Sequence, residues 1–392
     1  MTLTPTAASE ALQHELIEMA KAHQGWLSFH QFMSHALYHP IHGYYMRKYA
    51  RLGKEGDFTT APEMTSLFGE LLTLQFIEVW QRMGSPGFFS MMEVGAGSGK
   101  LAVDVLKTAE KFPPFYEALS LIILEKSPDF RCVQAKTLEQ GKVNLSKVRW
   151  VQDIESWEQE GAFHGVVYGN EILDAFPVQW IEQTEEGLKE VAAHWDGTQW
   201  SERLIEPTDR AWADYFTSRD IELDVGMRTE FCLDAQAWVQ KVSNNLAQGA
   251  LLFIDYGYVA KDYYQSGLPH GTLMAHHRHE RIMDPWLVPG DMDLTAHVDF
   301  SAMSTVGREQ GMDLLGFTTQ GWFLMGLGIL QRLEQVIKAD TNSERVTQLR
   351  HTVSRLIMPD AMGERFKVLA MGRGLGEDPL AGFSMKDQSH RL

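Results

Sequence analysis

Short apolar runs alternate with amphipathic stretches along most of the chain. Runs without regular polar alternation are typical of strands buried on both faces of a sheet, and they lie at 88–94, 119–124, 148–151, 165–168, 250–254, 312–317 and 366–370. Apolar residues recur at helical spacing at 65–83, 101–111, 128–140, 235–247 and 300–310. This alternation predicts an α/β fold, a mostly parallel sheet with helices on both of its faces.

Three segments depart from this alternation. Residues 9–37 have helical spacing and predict a helical N-terminal segment, with Ser9 as its N-cap. Residues 178–183 and 189–194 alternate in polarity around Glu185-Glu-Gly187, which predicts a hairpin within an inserted, β-rich cap. Two helices are expected at 321–357. The predicted divisions are the N-terminal segment at 1–86, the two halves of the sheet at 87–177 and 233–373, the cap at 178–232 and a tail at 374–392.

The composition is that of an ordinary folded chain with an acidic balance. The 392 residues are 44% hydrophobic and 22% charged, which is enough apolar material for a sizeable core and too little charge for disorder. The formal net charge is −17, from 35 basic and 52 acidic side chains. Such a chain repels phosphate backbones, so nucleic acid is a poor candidate partner. The acidity favours a cationic ligand or a basic protein substrate, although it can equally serve solubility alone.

A few features of the sequence bear on the compartment. Cys132 and Cys232 form no CxxC pair and are interpreted as structural thiols in a reducing compartment. No apolar run reaches the roughly 18 residues that a membrane-spanning helix needs. Residues 1–8 have neither the basic and apolar regions of a signal peptide nor the arginines of a transit peptide. These features predict a cytoplasmic protein without a membrane span.

The first predicted strand of the sheet runs into the glycine-rich turn Glu93-Val-Gly-Ala-Gly-Ser-Gly99. Glycines permit a tight turn between a strand and a helix and let a ligand approach the backbone. A dinucleotide site would need a glycine where Lys100 stands, which disfavours NAD. An acid at Glu93 favours S-adenosylmethionine (SAM), because a carboxylate stabilises its sulfonium and amino groups. The alternative is a turn that binds no ligand. The predicted cofactor contacts of this turn are Glu93, Gly95, Ala96, Gly97 and Gly99.

Acidic residues also follow the next two predicted strands. Glu125 closes the strand at 119–124, where a carboxylate can accept hydrogen bonds from both ribose hydroxyls. Asp153 closes the strand at 148–151 and can accept from the adenine amino group, with Ile154 against the ring. The alternatives are a surface glutamate before a helix and an ordinary loop aspartate.

Two further segments carry residues suited to the reacting group. Glu171 and Asp174 lie in Asn170-Glu-Ile-Leu-Asp-Ala-Phe-Pro177, after the strand at 165–168, and can bind a cationic acceptor and take its proton. Asp293 and His297 are candidates for substrate binding or proton removal. The alternative for both segments is a capped helix start. The nearby histidines raise a metal site as another alternative, but their spacing matches no standard ligand set, and no metal is predicted. These histidines are His276, His277 and His279.

Together these segments resemble one known family. The chain is similar to the MidA-like SAM-dependent methyltransferases, which include the mitochondrial arginine methyltransferase that assists assembly of respiratory complex I. The match is in the same order along the chain and is weak at 195–228. The matching stretches are Gly43-Tyr-Tyr45, Gly56-Asp-Phe-Thr-Thr-Ala-Pro-Glu63, Phe68-Gly-Glu70, the glycine turn, Glu125-Lys-Ser-Pro128, Gly169-Asn-Glu-Ile-Leu-Asp-Ala-Phe-Pro177, Ile254-Asp-Tyr-Gly-Tyr258, Gly271-Thr-Leu273, Asp293-Leu-Thr-Ala-His-Val-Asp-Phe300, Thr319-Gln320 and Phe366-Lys-Val-Leu369.

The resemblance implies a class I methyltransferase fold, SAM as the cofactor, and methyl transfer to a protein nitrogen, first of all arginine. It implies a lid over the cofactor made by Gly56, Asp57, Phe58, Thr59 and Thr60, with Lys126 and Asn170 added to the cofactor site. The catalytic candidates are then Glu171, Asp174, Asp293 and His297. The implied partner is a protein substrate, such as a respiratory complex subunit, and a homodimer is left open. The other function classes are a non-catalytic assembly factor that retains the SAM fold and an NAD-dependent oxidoreductase.

Overall fold

The computed structural model describes residues 3–47, 60–159, 161–265, 267–277 and 280–392. The strands are β1 (Trp26–Ser28), β2 (Phe89–Val94), β3 (Leu119–Leu124), β4 (Val148–Val151), β5 (Phe163–Asn170), β6 (Gln179–Thr184), β7 (Gly187–Trp195), β8 (Trp200–Ile205), β9 (Arg228–Phe231), β10 (Leu246–Tyr258), β11 (Met274–His277), β12 (Glu280–Ile282), β13 (Asp293–Thr295), β14 (Val298–Asp299), β15 (Asp313–Thr319) and β16 (Phe366–Arg373).

The α-helices are α1 (Ala7–Ala22), α2 (Phe29–Tyr38), α3 (Ala61–Met64), α4 (Ser66–Arg82), α5 (Lys100–Ala109), α6 (Pro113–Ala118), α7 (Pro128–Gly141), α8 (Ile154–Glu158), α9 (Trp212–Thr217), α10 (Leu233–Asn245), α11 (Ala260–Tyr263), α12 (Phe300–Glu309), α13 (Gln320–Gly326), α14 (Ile329–Ala339) and α15 (Ser343–Ile357). Within the described ranges, no helix is long and apolar enough to cross a membrane.

The described residues form two compact units, and neither is continuous in sequence. We call them the sheet unit, which contains residues 60–172, Trp238–Gly257 and Ala302–Leu392, and the composite unit, which contains residues 3–47, Leu173–Ala237 and Tyr258–Ser301. The division at 86, 177, 232 and 373 that the sequence suggests stays a prediction.

The sheet unit is built on strands in the order β4-β3-β2-β5-β10-β16-β15. The first five of these are parallel, and β16 is antiparallel to both of its neighbours, β10 and β15. The predicted mostly parallel sheet is confirmed, and β3 and β4 have the predicted bounds. Because parallel strands end at the same edge of a sheet, the residues that follow β2, β3 and β5 share one edge, where ligands of such sheets bind.

Helices cover both faces of this sheet. Leu252 and Ile254 of β10 belong to the apolar core that also contains residues of α4 and α5. The side chain of Phe253 points to the opposite face, where it packs against Trp238 of α10 with the ring centroids 5.7 Å apart. The helix predicted at 65–83 is α4, which Thr65 caps by accepting from the Leu67 N–H. The two helices predicted at 321–357 are instead three, because Gly328 adopts φ +86° between α13 and α14, and Asn342 caps a new helix, α15.

The composite unit contains the hairpin that the sequence predicts. β6 and β7 are antiparallel, with Ile181 opposite Glu190, and they lie in a sheet of the order β1-β7-β6-β9 with β8 added to β7. A second, smaller sheet has the order β12-β11-β13. The predicted β-rich character of this region is confirmed.

The N-terminal segment differs from the prediction of a single helical stretch. Gln24 and Gly25 adopt left-handed backbone angles, φ +60° and +86°, which end α1 and let the chain enter β1. The N-cap of α1 is Thr6, whose side chain accepts from the N–H of Ser9, so the prediction of Ser9 as N-cap is wrong. The sequence pattern was misleading because Ser9 is buried within the first turn and has the residue type of a cap.

Aromatic side chains from all three segments form the core of the composite unit. Phe29 of α2 lies 5.1 Å from Trp180 of β6 and 5.4 Å from Trp286, measured between ring centroids. Phe32 lies 4.9 Å from Trp286 and 5.7 Å from Trp200 of β8. Edge-to-face pairs of this kind each stabilise a core by about 0.5–1.5 kcal/mol beyond the burial of their area. The N-terminal helices are therefore part of this core.

Candidate cofactor and acceptor sites

The glycine-rich turn has the backbone that its sequence predicts. Gly95, Gly97 and Gly99 have φ of +62°, +52° and +83°, and α5 begins at Lys100 directly after them. Each of these angles costs an ordinary L-residue about 1–2 kcal/mol. A Cβ atom on Gly99 would also lie 3.1 Å from the Cα of Gln134, which is tighter than ordinary contact. The glycines are needed for the turn itself, and Ala96 between them is buried.

Glu93 is a buried carboxylate at the end of β2. Its side chain is 3% exposed and accepts a hydrogen bond of 3.0 Å from the hydroxyl of Tyr168. Burial raises the pKa of Glu93 to about 8, the bond from Tyr168 opposes this, and the charge of Asp104 adds to it. Within the part of the chain that the structure describes, no basic side chain pairs with Glu93. A positively charged ligand bound here would therefore stabilise the ionised form of the Glu93 carboxylate.

Glu125 is fixed by two neighbours after the end of β3. One carboxylate oxygen accepts from the N–H of Ser127 and the other from Nε2 of Gln134, both at 2.9 Å. Burial raises the pKa of Glu125, and these two bonds oppose the rise. Gln134 also donates to the carbonyl of Gly97 at 3.2 Å and accepts from the indole N–H of Trp150 at 3.0 Å. One amide thus ties the glycine turn to the carboxylate predicted to bind the ribose.

Sequence reasoning missed Gln134 because an amide on a helix resembles any polar surface residue. The available signal was its position one turn before Leu138, since these two are the fully buried positions of α7. A polar residue on the buried stripe of a helix needs internal hydrogen-bond partners.

We expect Gln134→Leu to weaken cofactor binding by about tenfold. Loss of the amide leaves Glu125 and the Gly97 carbonyl each without one donor, which costs about 1–3 kcal/mol for buried groups. The measurement is calorimetric titration with S-adenosyl-homocysteine. Gln140→Leu, on the exposed side of the same helix, is the control and should keep the wild-type affinity. Equal affinities of the two variants would contradict this role of Gln134.

The structure describes only some of the residues predicted to contact the adenine or to form the lid. Asp153 caps α8 by accepting from the Ser156 N–H at 2.7 Å, and hydrogen bonds from the side chain of Ser156 and then from this N–H lower the pKa of Asp153. Ile154 is buried and Lys126 is exposed. Thr60 directly precedes α3. Their contacts with a cofactor stay predictions. Gly56, Asp57, Phe58 and Thr59 lie outside the described residues.

A strained turn follows β5. Glu171 has φ +56°, an angle that few residues other than glycine adopt, and it persists because its N–H donates to the carbonyl of Ile254 at 2.9 Å. The N–H of the next residue, Ile172, donates to the buried carboxylate of Asp255 at 3.0 Å. Asn170 donates through Nδ2 to the Glu171 carboxylate at 2.9 Å. The Asn170 Oδ1 is buried and, among described residues, accepts no hydrogen bond.

One predicted catalytic acid of the composite unit is hydrogen-bonded to a tyrosine. The hydroxyl of Tyr45 donates to Asp293 Oδ1 at 2.6 Å. Burial raises the pKa of Tyr45 well above its usual value, and the charges of Asp293 and then Asp174 raise it further. Tyr38 stacks on Tyr45 with centroids 5.6 Å apart, and its hydroxyl donates to the carbonyl of Ala175. Asp293 is therefore bound by a tyrosine that sequence reasoning did not single out, the charge of Asp174 also acts on that tyrosine, and both carboxylates are under 6% exposed.

His297 is held by its main chain. Its N–H donates to Oγ1 of Thr272 and its carbonyl accepts from the hydroxyl of Tyr263, each at 2.9 Å. The imidazole lies against the ring of Tyr258, with centroids 5.2 Å apart.

Two acids on either side of Asp293 in the sequence, Asp291 and Asp299, have structural partners. Asp291 pairs with Arg47 at 2.7 Å and accepts from the N–H of Thr6, which anchors the N-terminal segment. Asp299 pairs with Arg219 at 2.7 Å. Among the described residues, no group of three His, Cys, Asp or Glu side chains is arranged to hold a metal ion.

The predicted site residues divide between the two units. Glu171 and the described cofactor candidates belong to the sheet unit, whereas Asp174, Asp293 and His297 belong to the composite unit. SAM fits the sheet unit on three observations. Glu93 is a buried carboxylate without a cationic partner among described residues, Asn170 offers a buried acceptor, and the glycine turn leaves backbone uncovered by Cβ atoms.

Comparisons with known proteins agree with this fit. A model of S-adenosyl-L-methionine-dependent methyltransferases matches residues 71–318. The mitochondrial protein arginine methyltransferase NDUFAF7 of Xenopus tropicalis is 30% identical over 97% of this chain and 90% of its own, and the Drosophila melanogaster homologue is 31% identical over 90% and 84%. A Burkholderia thailandensis protein crystallised with S-adenosyl-homocysteine is 34% identical, with a TM-score of 0.91 and 100% of both chains covered. These similarities confirm the predicted fold class and cofactor.

The same relatives correct the predicted location. The named animal proteins are mitochondrial, which contradicts the cytoplasmic location predicted from the first residues and the cysteines. The prediction was wrong because composition and a short N-terminal stretch do not determine the compartment, which depends on signals read by receptors.

Proposed function

This chain belongs to the family of S-adenosyl-L-methionine-dependent methyltransferases, and we propose that it methylates a guanidinium nitrogen of arginine in a protein. The observation that carries the choice of arginine is a pair of buried carboxylates, Asp293 and Asp174, whose charges both act on Tyr45. Planar guanidinium groups bind carboxylates with two parallel hydrogen bonds, so buried acids suit this acceptor. The name of the animal relatives supports the same substrate.

The proposed mechanism needs two tasks, binding of the cationic acceptor and removal of its proton. Bound SAM supplies a methyl group on a positively charged sulfur. Guanidinium has a pKa above about 12, so its nitrogens are poor nucleophiles until a proton leaves. Asp174 and Asp293 bind and orient the cation, and the bond from Tyr45 fixes the Asp293 carboxylate. His297 or one of these carboxylates accepts the proton. Positioning of donor and acceptor supplies much of the remaining acceleration.

Glu171 is proposed to localise charge on the acceptor nitrogen and to take part in proton removal. Its left-handed backbone and the hydrogen bond from Asn170 hold the carboxylate in one orientation. We expect Glu171→Gln to reduce kcat by about 100-fold, within the range for a general acid or base. Affinity for S-adenosyl-homocysteine should change less than about twofold, since the amide keeps the size of the side chain. The control is Glu117→Gln, an exposed residue of α6. Full activity of Glu171→Gln would remove this residue from the proposal.

The experiment that tests the acceptor uses SAM with a labelled methyl group. The purified protein is incubated with a cell lysate from which small molecules have been removed, and labelled bands are hydrolysed for amino acid analysis. Labelled methylarginine in one band is the expected result, and it would name the substrate protein. Labelled methyl-lysine, or label that is released by mild base as an ester is, would contradict the choice of arginine. The variant Asp293→Asn serves as the background.

A protein substrate is consistent with the family, and the identity of that protein is part of the proposal. The family resemblance suggests a respiratory complex subunit as the substrate. The net charge of −17 suits binding of a basic segment of such a subunit. Analysis of the labelled band by mass spectrometry tests this. Sedimentation of the purified protein tests the homodimer.

A further inference from the structure

A buried carboxylate in the composite unit is connected to His297 through two side chains. Glu230 of β9 is 0% exposed. Its Oε1 accepts from the hydroxyl of Tyr263 at 3.0 Å and from the N–H of Thr272 at 2.5 Å, and the Thr272 hydroxyl also donates to it. The hydroxyls of Tyr263 and Thr272 are themselves 3.0 Å apart. The three hydrogen bonds to Glu230 converge on one oxygen atom, Oε1.

The same two side chains hold the main chain of His297 from both sides. Thr272 Oγ1 accepts from the N–H of His297, and the Tyr263 hydroxyl lies 2.9 Å from its carbonyl oxygen. Tyr263 has one proton to share between this carbonyl and Glu230. The orientation of both hydroxyls, and with it the peptide of His297, therefore depends on the carboxylate behind them.

The chain is shaped to approach this carboxylate closely. Gly271 has φ +70°, and a Cβ atom there would lie 2.2 Å from Glu230 Oε2. The backbone angle and this close contact both favour glycine before Thr272. Gly271-Thr-Leu273 is among the stretches that match the family, and neither the cofactor site nor the acceptor acids account for it.

We propose that Glu230 is a positioning residue, which fixes the peptide of His297 through Thr272 and Tyr263. This inference rests on the role of His297 in the proposed function. A fixed peptide restricts the imidazole to the rotamers that pack against Tyr258. Loss of the carboxylate lets the imidazole reorient and makes proton transfer slower, although Glu230 itself contacts neither substrate nor cofactor.

The test compares Glu230→Leu with Glu230→Gln. Glutamine keeps an acceptor oxygen, so it should preserve the hydrogen bonds to Tyr263 and Thr272, whereas leucine removes them. Proton NMR of the histidine Cε1–H signals, with His297 assigned from His297→Gln, reports the imidazole directly. We expect the His297 signal to shift in the leucine variant and to stay in place in the glutamine variant. Methyl transfer to the labelled acceptor band should fall about tenfold only with leucine, with unchanged affinity for S-adenosyl-homocysteine.

A matched control separates positioning from general loss of stability. Glu190 of β7 is also buried, at 1% exposure, and accepts from the N–H of Thr208 at 3.0 Å. Glu190→Leu should lower the melting temperature without moving the His297 signal. An unmoved His297 signal in Glu230→Leu, or the same shift in both leucine variants, would overturn the proposal.

Variants that each remove one contact with the His297 peptide keep the test decisive if Glu230→Leu does not fold. Tyr263→Phe and Thr272→Val each remove one of the two contacts with the His297 peptide, and each should move the same signal. Unmoved signals in both would overturn the proposal. The NMR result does not depend on the acceptor. A shifted signal without methylarginine in the labelled band refutes the proposed function alone, and methylarginine with an unmoved signal refutes the positioning role alone.

Discussion

Asp293→Asn is expected to reduce kcat/KM for the protein substrate on the order of 1,000-fold. The substitution removes the charge from one of two carboxylates proposed to bind the guanidinium, and loss of one partner of a buried, hydrogen-bonded charge pair costs about 2–5 kcal/mol. About 4 kcal/mol of lost binding corresponds to this factor. The amide also cannot accept the departing proton. Initial rates with the isolated labelled acceptor measure the effect.

The neighbouring Asp291 provides a stringent control for this result. It lies two residues away, is equally buried, and pairs with Arg47 inside the composite unit. Asp291→Asn should therefore lower the melting temperature, because it breaks an internal ion pair, while the folded enzyme keeps its kcat/KM. The two variants could instead lose kcat/KM to a similar extent, with each loss matching the fraction of protein that is unfolded. That result would contradict a specific role for Asp293.

The second large effect is expected at Glu93 and depends on pH. Its pKa is about 8 because the side chain is buried, and the charge of bound SAM favours the ionised form. Affinity for SAM should therefore rise with pH, by up to about tenfold per unit, and level off above pH 8. In Glu93→Gln this dependence should disappear, and affinity at pH 8.5 should fall about 10- to 100-fold. Titration calorimetry at several pH values measures both results, and a wild-type affinity that does not change with pH would contradict the assignment.

The stability of the cofactor-free protein should fall as the pH rises, whereas the affinity for SAM should rise. The folded protein holds the proton of Glu93 more tightly than the unfolded chain, in which the pKa is 4.5. The cost of the ionised, buried carboxylate is therefore absent below pH 4.5, grows as the pH rises, and is complete above pH 8, on the order of 5 kcal/mol. Glu93→Gln should raise the melting temperature at pH 8.5 and change it little at pH 5. Glu117→Gln, which replaces an exposed acid, is the control.

The sheet unit could be predicted from the sequence because its strands are buried on both faces. Such strands appear as uninterrupted apolar runs, and Leu119–Leu124 and Val148–Val151 have the predicted bounds. The candidate acids of this unit lie at strand ends, Glu93 within the last two residues of β2 and Glu125 and Glu171 directly after β3 and β5, so their positions at one edge of the sheet could be predicted.

The composite unit could not be predicted in the same way because its contacts join distant segments. β1 has three residues, too few for any periodicity, and its pairing places Trp26 opposite His194. Tyr45 contacts Asp293 across 248 positions of the chain. Gln134 and Glu230 act through side-chain hydrogen bonds, which leave no pattern of polar and apolar residues. The acids proposed to bind the acceptor could be named from the sequence, but the side chains that contact them could not.

The three-segment core of the composite unit also affects folding on the ribosome. Phe29 and Phe32 of α2 pack against Trp180, Trp200 and Trp286. Synthesis at about 5–20 residues per second separates the first of these rings from the last by roughly 10 to 50 s. Throughout that time the core remains incomplete, because Trp286 is the last of these rings to be synthesised. We therefore expect the nascent N-terminal segment to be a binding site for ribosome-associated chaperones until the last segment of the core has emerged.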